Sequence, residues 1–403
     1  MGSTEHSECF SESLVVLLSS PPTNGIYKSP EYYGDGIRVV HMTELFQNKI
    51  IDNQDIPRVR LSKAEADNFS ALPGDVLIAR RSIKLEGVAK PTLIGNTATP
   101  LSFESSIIRL RPNPDLLDSL FLLEFLESEE GRRQIRTIAR QVAVSGVAGS
   151  DLKYLRVPLL PLPEQRKIAE ILRTWDEAID ACERRATALR QQFDGLRLKI
   201  FEAAYASDNR VRQAKDLFDP VSEKNQPDLP LLAVMQDIGV VRRDELDRRV
   251  VMPDGDVDGY KVVRKGDFVI SLRSFEGGLE FSRVTGLVSP AYTVLRPNGG
   301  EYVGDYYRHY FKSRSFIGRL DRLIFGIRDG KQISFRDFGD MRIPNPIEDE
   351  QAKAAAVLGL AERQIQLAEQ EAGRLQMQKR GLMQKLLTGE WRVTIREAGD
   401  HAS

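Results

Sequence analysis

Several clusters of arginine, lysine, glutamine and serine stand after predicted strands or beside glycine-containing loops. The candidates in the first half are Arg80, Arg81, Ser82, Lys84, Arg140, Gln141 and Lys153, and those in the second half are Arg273, Ser274, Arg328, Lys331 and Gln332. Arginine and lysine donate hydrogen bonds to guanine, glutamine matches adenine, and cations suit phosphates. These positions are therefore candidate nucleic-acid contacts. The alternative for any one of them is an ordinary solvated surface charge.

Arg140, Gln141 and Lys153 flank a glycine-containing loop at residues 144–150, and Arg328, Lys331 and Gln332 lie in another at residues 326–333. Glycine has no side chain, so such a backbone can come close to a duplex. Tyr306, Tyr307 and Tyr310 could also stack on bases, but their helical spacing more often means packing in a core.

The motifs of a self-sufficient enzyme are missing from the sequence. A methyltransferase acting on a base nitrogen needs an Asn/Asp-Pro-Pro-aromatic motif, and the nearest match, Asn345-Pro346-Ile347, lacks the second proline and the aromatic residue. No Walker-type phosphate loop occurs. Asp254 and Lys261 resemble a nuclease site only faintly, since no acid stands two residues before the lysine. The chain is therefore predicted to be non-catalytic and to bind no cofactor.

Composition favours a folded protein of the cytoplasm. The 403 residues fit two or three domains, with 41% hydrophobic and 29% charged residues. No run of 18 apolar residues predicts a membrane span, and the polar, acidic start predicts no secretory signal. Cys9 and Cys182 are too few for a disulfide framework. The four histidines are scattered, so no metal site is expected, and no chemistry is assigned to His41.

The chain repeats itself at an offset of 351 − 165 = 186 residues. Glu350-Gln351 answers Glu164-Gln165, and Arg342-Ile343-Pro344 answers Arg156-Val157-Pro158. Further upstream, Gly266-Asp267 answers Gly74-Asp75, Arg273-Ser274 answers Arg81-Ser82, and the Leu-Arg-Pro-Asn run at 295–298 answers the one at 110–113. Two copies of a globule-plus-helix unit can carry a pseudo-twofold axis, which suits a two-part target.

Two long helices are predicted after the two copies, each with a heptad stripe of apolar residues. The predicted helix–helix seam includes Ile168, Leu172, Trp175, Ile179, Leu189, Phe193, Leu196, Leu358, Ile365, Leu375, Leu382 and Leu386. Lys379 is the one polar residue among the ten repeat positions of the second stripe. The pattern favours helices that pack on each other or on a partner's helix, and it leaves parallel and antiparallel arrangements open.

These features resemble the specificity subunit of a Type I restriction–modification system. The residues that carry the resemblance are the run Pro161-Leu-Pro-Glu-Gln-Arg-Lys-Ile-Ala-Glu-Ile-Leu172 with its helix, the weaker copy at Glu350-Gln351, and Lys385-Leu-Leu-Thr-Gly-Glu-Trp-Arg-Val393. The second copy departs from the pattern, because Ile347-Glu-Asp replaces Pro-Leu-Pro and Lys379 interrupts the stripe.

The resemblance implies an α+β fold with two target-recognition domains in pseudo-twofold repeat, joined by two long helices in an antiparallel coiled coil. The expected domains are 1–160 and 207–346, the spacer helices 161–206 and 347–390, and the tail 391–403. Each domain would read one part of a bipartite double-stranded DNA site, and the helices would set the gap. Two methyltransferase subunits, which would bind S-adenosylmethionine, and a restriction subunit are the expected partners. The alternative is a protein-interaction scaffold that does not bind DNA.

Overall fold

The structure is a computed structural model that describes residues 10–140, 145–206, 210–236, 238–246, 257, 259–270, 278–324 and 335–394. The chain divides into two compact units. Unit 1 holds the residues up to Ala181 together with those from Glu371 onward, and unit 2 holds Cys182–Gln370. Within the described ranges, no helix has both the length and the apolar character needed to cross a membrane.

Unit 1 contains two mixed sheets and four short helices. Its strands are β1 (Ser11–Ser13), β2 (Leu18–Asn24), β3 (Tyr33–Val40), β4 (Ile50–Ile51), β5 (Arg58–Val59), β6 (Val76–Ala79), β7 (Arg81–Ser82), β8 (Pro91–Ile94), β9 (Leu101–Phe103), β10 (Ile107–Pro112), β11 (Ser145–Gly146) and β12 (Arg156–Pro158). Its helices are α1 (Met42–Gln47), α2 (Lys63–Asn68), α3 (Ser119–Glu127), α4 (Glu129–Ile138) and the first part of α5 (Leu162–Ala206). One sheet has the order β2-β10-β6-β8-β4, and the other has the order β5-β3-β9.

Unit 2 is built on a four-stranded sheet. Its strands are β13 (Val211–Gln213), β14 (Phe218–Val221), β15 (Leu232–Met235), β16 (Gly239–Arg242), β17 (Lys261–Val263), β18 (Phe268–Ile270), β19 (Glu280–Phe281), β20 (Gly286–Val288), β21 (Thr293–Pro297) and β22 (Arg342–Pro344). Its helices are α6 (Gly304–Phe311), α7 (Arg314–Ile324), α8 (Phe335–Gly339) and the first part of α9 (Glu348–Leu387). The sheet order is β14-β21-β18-β19.

The repeat seen in the sequence is a repeat of strand pairing. In unit 1, β1 pairs with β12 and β10 lies between β2 and β6, all antiparallel. In unit 2, β13 pairs with β22 and β21 lies between β14 and β18, again antiparallel. The strand just before each long helix is therefore paired in an equivalent way: β12 pairs with the first strand of unit 1, and β22 pairs with the first strand of unit 2.

The Gly-Asp turn before β6 and β18 recurs with the same contacts. Gly74 and Gly266 have φ of 89° and 98°, a conformation that favours glycine. Asp75 accepts from Nε and Nη2 of Arg111 at 2.7 and 2.8 Å. Asp267 accepts from the same atoms of Arg296 at 3.0 and 2.9 Å. This bidentate pair ties the start of one strand to the end of its neighbour.

A buried glutamine joins each long helix to its unit. In unit 1, Oε1 of Gln165 accepts from the N–H of Asp118, just before α3, at 2.8 Å, and Nε2 donates to two backbone carbonyls. In unit 2, Oε1 of Gln351 accepts from the N–H of Val303, just before α6, at 2.9 Å, and Nε2 again donates to backbone carbonyls. Both glutamines are 0% exposed.

The long helices run antiparallel within each unit. In unit 1, the start of α5 meets the end of the chain, since Glu164 accepts from Arg392 at 2.8 and 2.6 Å. In unit 2, the end of α5 lies with the start of α9, and Arg190 forms an ion pair with Glu369. Every predicted seam residue is buried or half-buried. The predicted α+β class with two globular halves and a long antiparallel helix pair is confirmed.

Each unit has its own core. In unit 1, Ile168 and Leu172 of α5 and Leu386 of α9 pack in the same cluster as Phe121 and Phe125 of α3. The core of unit 2 is rich in rings, and Tyr306, Tyr307 and Tyr310 are all buried within it. Core packing is thus the correct interpretation of these three tyrosines.

Lys379, the exception in the apolar stripe, belongs to a buried ionic cluster in unit 1. Its Nζ lies 3.0 Å from Glu124 and 2.6 Å from Asp176. Lys49 completes the cluster, with Nζ 2.6 Å from Glu124 and 2.5 Å from Asp176. Burial opposes the ionisation of Asp176, but Lys49 and Lys379 hold the pKa of this carboxyl below its ordinary value. The stripe is interrupted because a charge here compensates the fully buried carboxylate of Glu124.

Replacing Lys379 by methionine should lower the free energy of unfolding by about 3 kcal/mol, because Glu124 would keep only one of its two cations. Urea unfolding of the full chain measures this loss. The matched control is Arg374→Ala on the same helix, which removes an exposed pair with Glu371 and should change stability by less than about 1 kcal/mol. Equal effects of the two substitutions would contradict the role assigned to the cluster.

Candidate nucleic-acid interface

The ends of several strands lie together on one side of unit 1. The end of β6 and the start of β10 face each other, with Ala79 paired to Ile107, and the end of β2 lies beside them, with Asn24 paired to Ile108. The parallel strands β3 and β9 end side by side, with Val40 opposite Phe103. The residues that follow or precede these ends form a surface that we call the open edge. It consists of Tyr27, His41, Arg80–Lys84, Glu104–Ser106 and Ser145–Gly146.

The structure brings two of the predicted clusters together at the open edge. Strand β7 pairs with β11, so that Ser82 faces Ser145 and Arg81 faces Gly146. A Cβ atom at Gly146 would lie 3.0 Å from the carbonyl oxygen of Arg80, which explains the need for glycine. The N–H of Arg80 donates to the carbonyl of Ser106 at 2.8 Å. The segment is thus held by its backbone and by Nη1 of Arg80, which donates to the carbonyl of Ser105 at 3.4 Å. The side chains of Arg81 and Lys84 remain exposed.

Arg81 and Lys84 are the free cations of this surface. Both side chains are exposed, and among the described residues neither forms an ion pair. Ile83, between them, is 88% exposed. Exposed cations without partners on a backbone-anchored segment are suited to phosphate oxygens or guanine edges.

The remaining candidates of the first half are less closely grouped. Arg140 exchanges backbone hydrogen bonds with Gly146 and extends an exposed guanidinium, with Asp151 at 3.3 Å. Lys153 lies with β1 instead, since its carbonyl accepts from the hydroxyl of Ser13 and its ammonium lies 5.0 Å from the ring centre of Tyr154. Gln141 is outside the described residues.

The candidates of the second half are outside the described residues as well. They are Arg273, Ser274, Arg328, Lys331 and Gln332. Strand β18, which corresponds to β6, ends at Ile270, just before the first of these segments. All five positions remain predictions.

A polar pair at the open edge was missed by the sequence analysis. Nδ1 of His41 lies 2.8 Å from Oε2 of Glu104, and Oε1 of the same carboxylate accepts from the N–H of Met42 at 2.8 Å. The ring of His41 lies 5.4 Å from that of Tyr33. Strand pairing joins positions 63 residues apart, and no motif or spacing in the sequence links them.

The environment of His41 favours its charged form. The hydrogen bond to Glu104 raises the pKa of His41 above its ordinary value against the opposing effect of burial, and the charge of Glu44 acts in the same direction. Burial opposes the ionisation of Glu104, but His41, the N–H of Met42 and Arg81 together lower the pKa of this carboxyl. The contacts of the pair therefore favour an imidazolium held by a carboxylate.

Comparison with known proteins shows which class of proteins the chain resembles. Residues 39–191 match the family described as the type I restriction modification DNA specificity domain. This segment contains His41, Glu104 and the Arg80–Lys84 segment. The class of proteins that this segment resembles is therefore that of type I restriction–modification systems.

Two relatives from Methanocaldococcus jannaschii agree with this class. The putative type I restriction enzyme MjaX specificity subunit is 23% identical over 374 residues, covering 88% of this chain and 84% of the relative. The type I restriction enzyme MjaVIII specificity subunit is 21% identical over 319 residues, covering 72% and 74%. The chain is thus similar to type I specificity subunits over most of its length.

Solved structures share the fold. The S subunit of a type I restriction–modification system from M. genitalium aligns with a TM-score of 0.56 and 14% identity, over 96% of this chain and 98% of that one. A structure described in terms of complex assembly and conformational transition of the type I R-M system aligns with a TM-score of 0.57 and 16% identity, over 95% and 98%. At these identities the likeness concerns the fold.

The titration of His41 provides a direct check of the open edge. NMR titration should give His41 a pKa above about 6.5, the ordinary histidine value. Glu104→Gln should lower that pKa, because the neutral amide no longer stabilises the imidazolium. His309 is an internal reference, since burial lowers its pKa to about 4. Because folding raises the pKa of His41, its pairing with Glu104 adds to the free energy of unfolding. This contribution is fully present below about pH 6.5 and is lost as the pH rises through the pKa of His41 in the folded protein. A His41 pKa that Glu104→Gln leaves unchanged would refute the pairing.

Proposed function

We propose that this chain is the DNA-recognition subunit of a type I restriction–modification complex. Each half reads one part of a bipartite DNA site, and the helix pair sets the gap between the parts. The observation that carries the proposal is the match of residues 39–191 to the specificity domain, because this segment contains the free cations Arg81 and Lys84.

The construction of unit 1 supports direct contact with a duplex. The Gly-Asp turn and the buried Gln165 hold one end of the main sheet against α3 and α5. The cationic residues stand at the opposite ends of the same strands, at the open edge. A rigid sheet that is anchored at one end can present side chains at the other end with little loss of entropy on binding.

Unit 2 shares the scaffold and differs in its loops. The bidentate Asp267–Arg296 pair and the buried Gln351 repeat the anchored end. Where unit 1 has the three-stranded β5-β3-β9 sheet, the described part of unit 2 has the separate pairs β15-β16 and β17-β20. A common scaffold with different loops is what two readers of different half-sites require.

Catalysis and assembly are assigned to partners. Two methyltransferase subunits, loaded with S-adenosylmethionine, and a restriction subunit would act at the DNA that this chain selects. Similarity to a putative type I specificity subunit over 88% of the chain supports this division of labour. The absence from the sequence of a methyltransferase motif and a Walker loop is consistent with a chain that does no chemistry itself. The complex would work in the cytoplasm, where the DNA is.

The chain copurified with its methyltransferase partner should bind one bipartite duplex selectively, and methylome sequencing of cells carrying the system should identify that site.

Arg81→Ala should weaken binding to the first half-site by about 1 to 3 kcal/mol and leave discrimination at the second unchanged. Arg133→Ala is the control, since this exposed arginine of α4 pairs with Glu130 and lies outside the open edge. Wild-type binding without sequence preference or salt dependence would favour the protein-interaction scaffold instead.

The gap should follow the length of the helix pair. Duplicating residues 184–190 in α5 and 362–368 in α9 keeps the apolar stripe, because each insertion is one heptad. Seven residues add about 10 Å to a helix, or about three base pairs of DNA. The preferred gap should lengthen accordingly, with the same bases read on either side. The control is Arg185→Ala, which changes a side chain but not the length. An unchanged gap in the methylome would show that the helices are not the ruler.

A further inference from the structure

Resting on the proposed function, we propose that His41 is a DNA contact of the first recognition domain. Glu104 holds its ring through Nδ1, and Nε2 donates to an acceptor on the duplex. Such acceptors are the phosphate oxygens and the N7 and O6 atoms of guanine.

The position of His41 supports this assignment. The residue follows β3 directly, at the same edge as the free cations, and the N–H of Glu104 donates to the carbonyl of Val40 at 3.0 Å. Glu104 also interacts electrostatically with Arg81, which places the pair next to the predicted contacts. Tyr27, beyond the bridge between Ile26 and Glu104, is 78% exposed. Aromatic and cationic side chains thus share one surface.

The hydrogen bonds of the pair leave one donor position open. Both oxygens of Glu104 are engaged, one by the His41 ring and one by the N–H of Met42. The carboxylate therefore fixes the orientation of the imidazole. Nε2 makes no hydrogen bond among the described residues, and the side chain keeps 23% of its exposure. A ring that is fixed on one nitrogen and accessible on the other is prepared for a ligand.

The groups around the ring determine what Nε2 can do. Glu104, just after β9, faces the ring, as do Glu44 from α1 and Tyr33 from β3, and the charge of Arg81 acts through Glu104. The two carboxylates favour the imidazolium, in which Nε2 carries a proton. A protonated Nε2 adds a positive charge and a donor to a surface that already has unpaired cations, and DNA supplies anionic acceptors in abundance.

A purely structural role for the pair makes different predictions. Glu44 accepts from the N–H of His41 at 3.0 Å, so the residue also helps to start α1. If this were its whole function, loss of Nε2 alone would have no consequence. Asparagine at position 41 isolates that atom, because its amide can replace Nδ1 as the donor to Glu104 and has nothing at the place of Nε2.

The test measures binding of the copurified complex to a fluorescent duplex that carries the site identified by the methylome. His41→Asn should bind this duplex roughly tenfold more weakly at about pH 6, the usual effect of losing one good contact. Wild-type affinity should fall as the pH rises through the pKa of His41, since the imidazolium is lost there. His41→Asn should lack this component, and its thermal unfolding should match the wild type at a pH above the pKa of His41, where the charged pair no longer adds to stability.

A second variant covers the case in which His41→Asn does not fold. Glu104→Gln keeps a hydrogen-bonding partner for the ring but removes the charge, so the pH profile of wild-type binding should move to lower pH by the shift measured in the NMR titration. An unmoved profile, or a His41→Asn complex with wild-type affinity at every pH, would overturn the proposal. Wild-type binding without any preferred site would instead refute the proposed function.

Duplexes with single substitutions separate the two acceptors. A loss of affinity that is equal for all sequences assigns Nε2 to a phosphate, whereas relaxed discrimination at one base pair of the first half-site assigns it to a guanine edge. Either result supports the contact, and the second adds His41 to the residues that determine specificity.

Discussion

A single side-chain amide determines how each long helix leaves its globule. Gln165 and Gln351 are fully buried. Each side-chain oxygen accepts from the backbone N–H just before a short helix. Each side-chain nitrogen donates to backbone carbonyls that precede and follow that short helix in the sequence. Because an unsatisfied buried backbone group costs about 1 to 3 kcal/mol, any other orientation of the helix would leave several such groups without a partner. Gln165 thus fixes the direction of α5 relative to the main sheet of unit 1, and Gln351 fixes the direction of α9 relative to the main sheet of unit 2. The course of each long helix is set by these first residues.

Because of this anchor, the main sheet of each unit has two different ends. The contacts at one end are the same in both units, and the other end is free to vary. The Gly-Asp turn and its arginine repeat almost atom for atom at the anchored end, at Asp75–Arg111 and Asp267–Arg296. At the other end of unit 1, the residues after β6 touch β11 and carry unpaired cations. Changes at the open edge alter what the surface recognises without disturbing the contacts that orient the helix.

The extent to which the molecule could be predicted follows from this division. The repeated runs Arg156-Val157-Pro158 and Arg342-Ile343-Pro344, the Gly-Asp turns and the heptad stripe were apparent in the sequence, because a positive φ and a helical period restrict residue type at fixed spacing. The pairing of β12 and β22 and the bidentate Asp–Arg pairs emerged only in the structure. The pair of His41 and Glu104 was not apparent, because strand pairing joins residues that no local rule connects. Lys379 was recognised as an exception, but its reason lies in Glu124 and Lys49, which are distant in the sequence. The recognition residues of the second half remain predictions.

The discontinuous make-up of unit 1 has a consequence for biosynthesis. Its core includes Leu172 of α5 and also Met383, Leu386 and Leu387 of α9, so that 387 − 172 = 215 residues separate parts of one core. At a translation rate of about 5 to 20 residues per second, roughly 10 to 40 s pass between synthesis of the first part and arrival of the last. During that time the face of α5 that packs on α9 in the finished protein has no partner, and such exposed apolar surface favours aggregation.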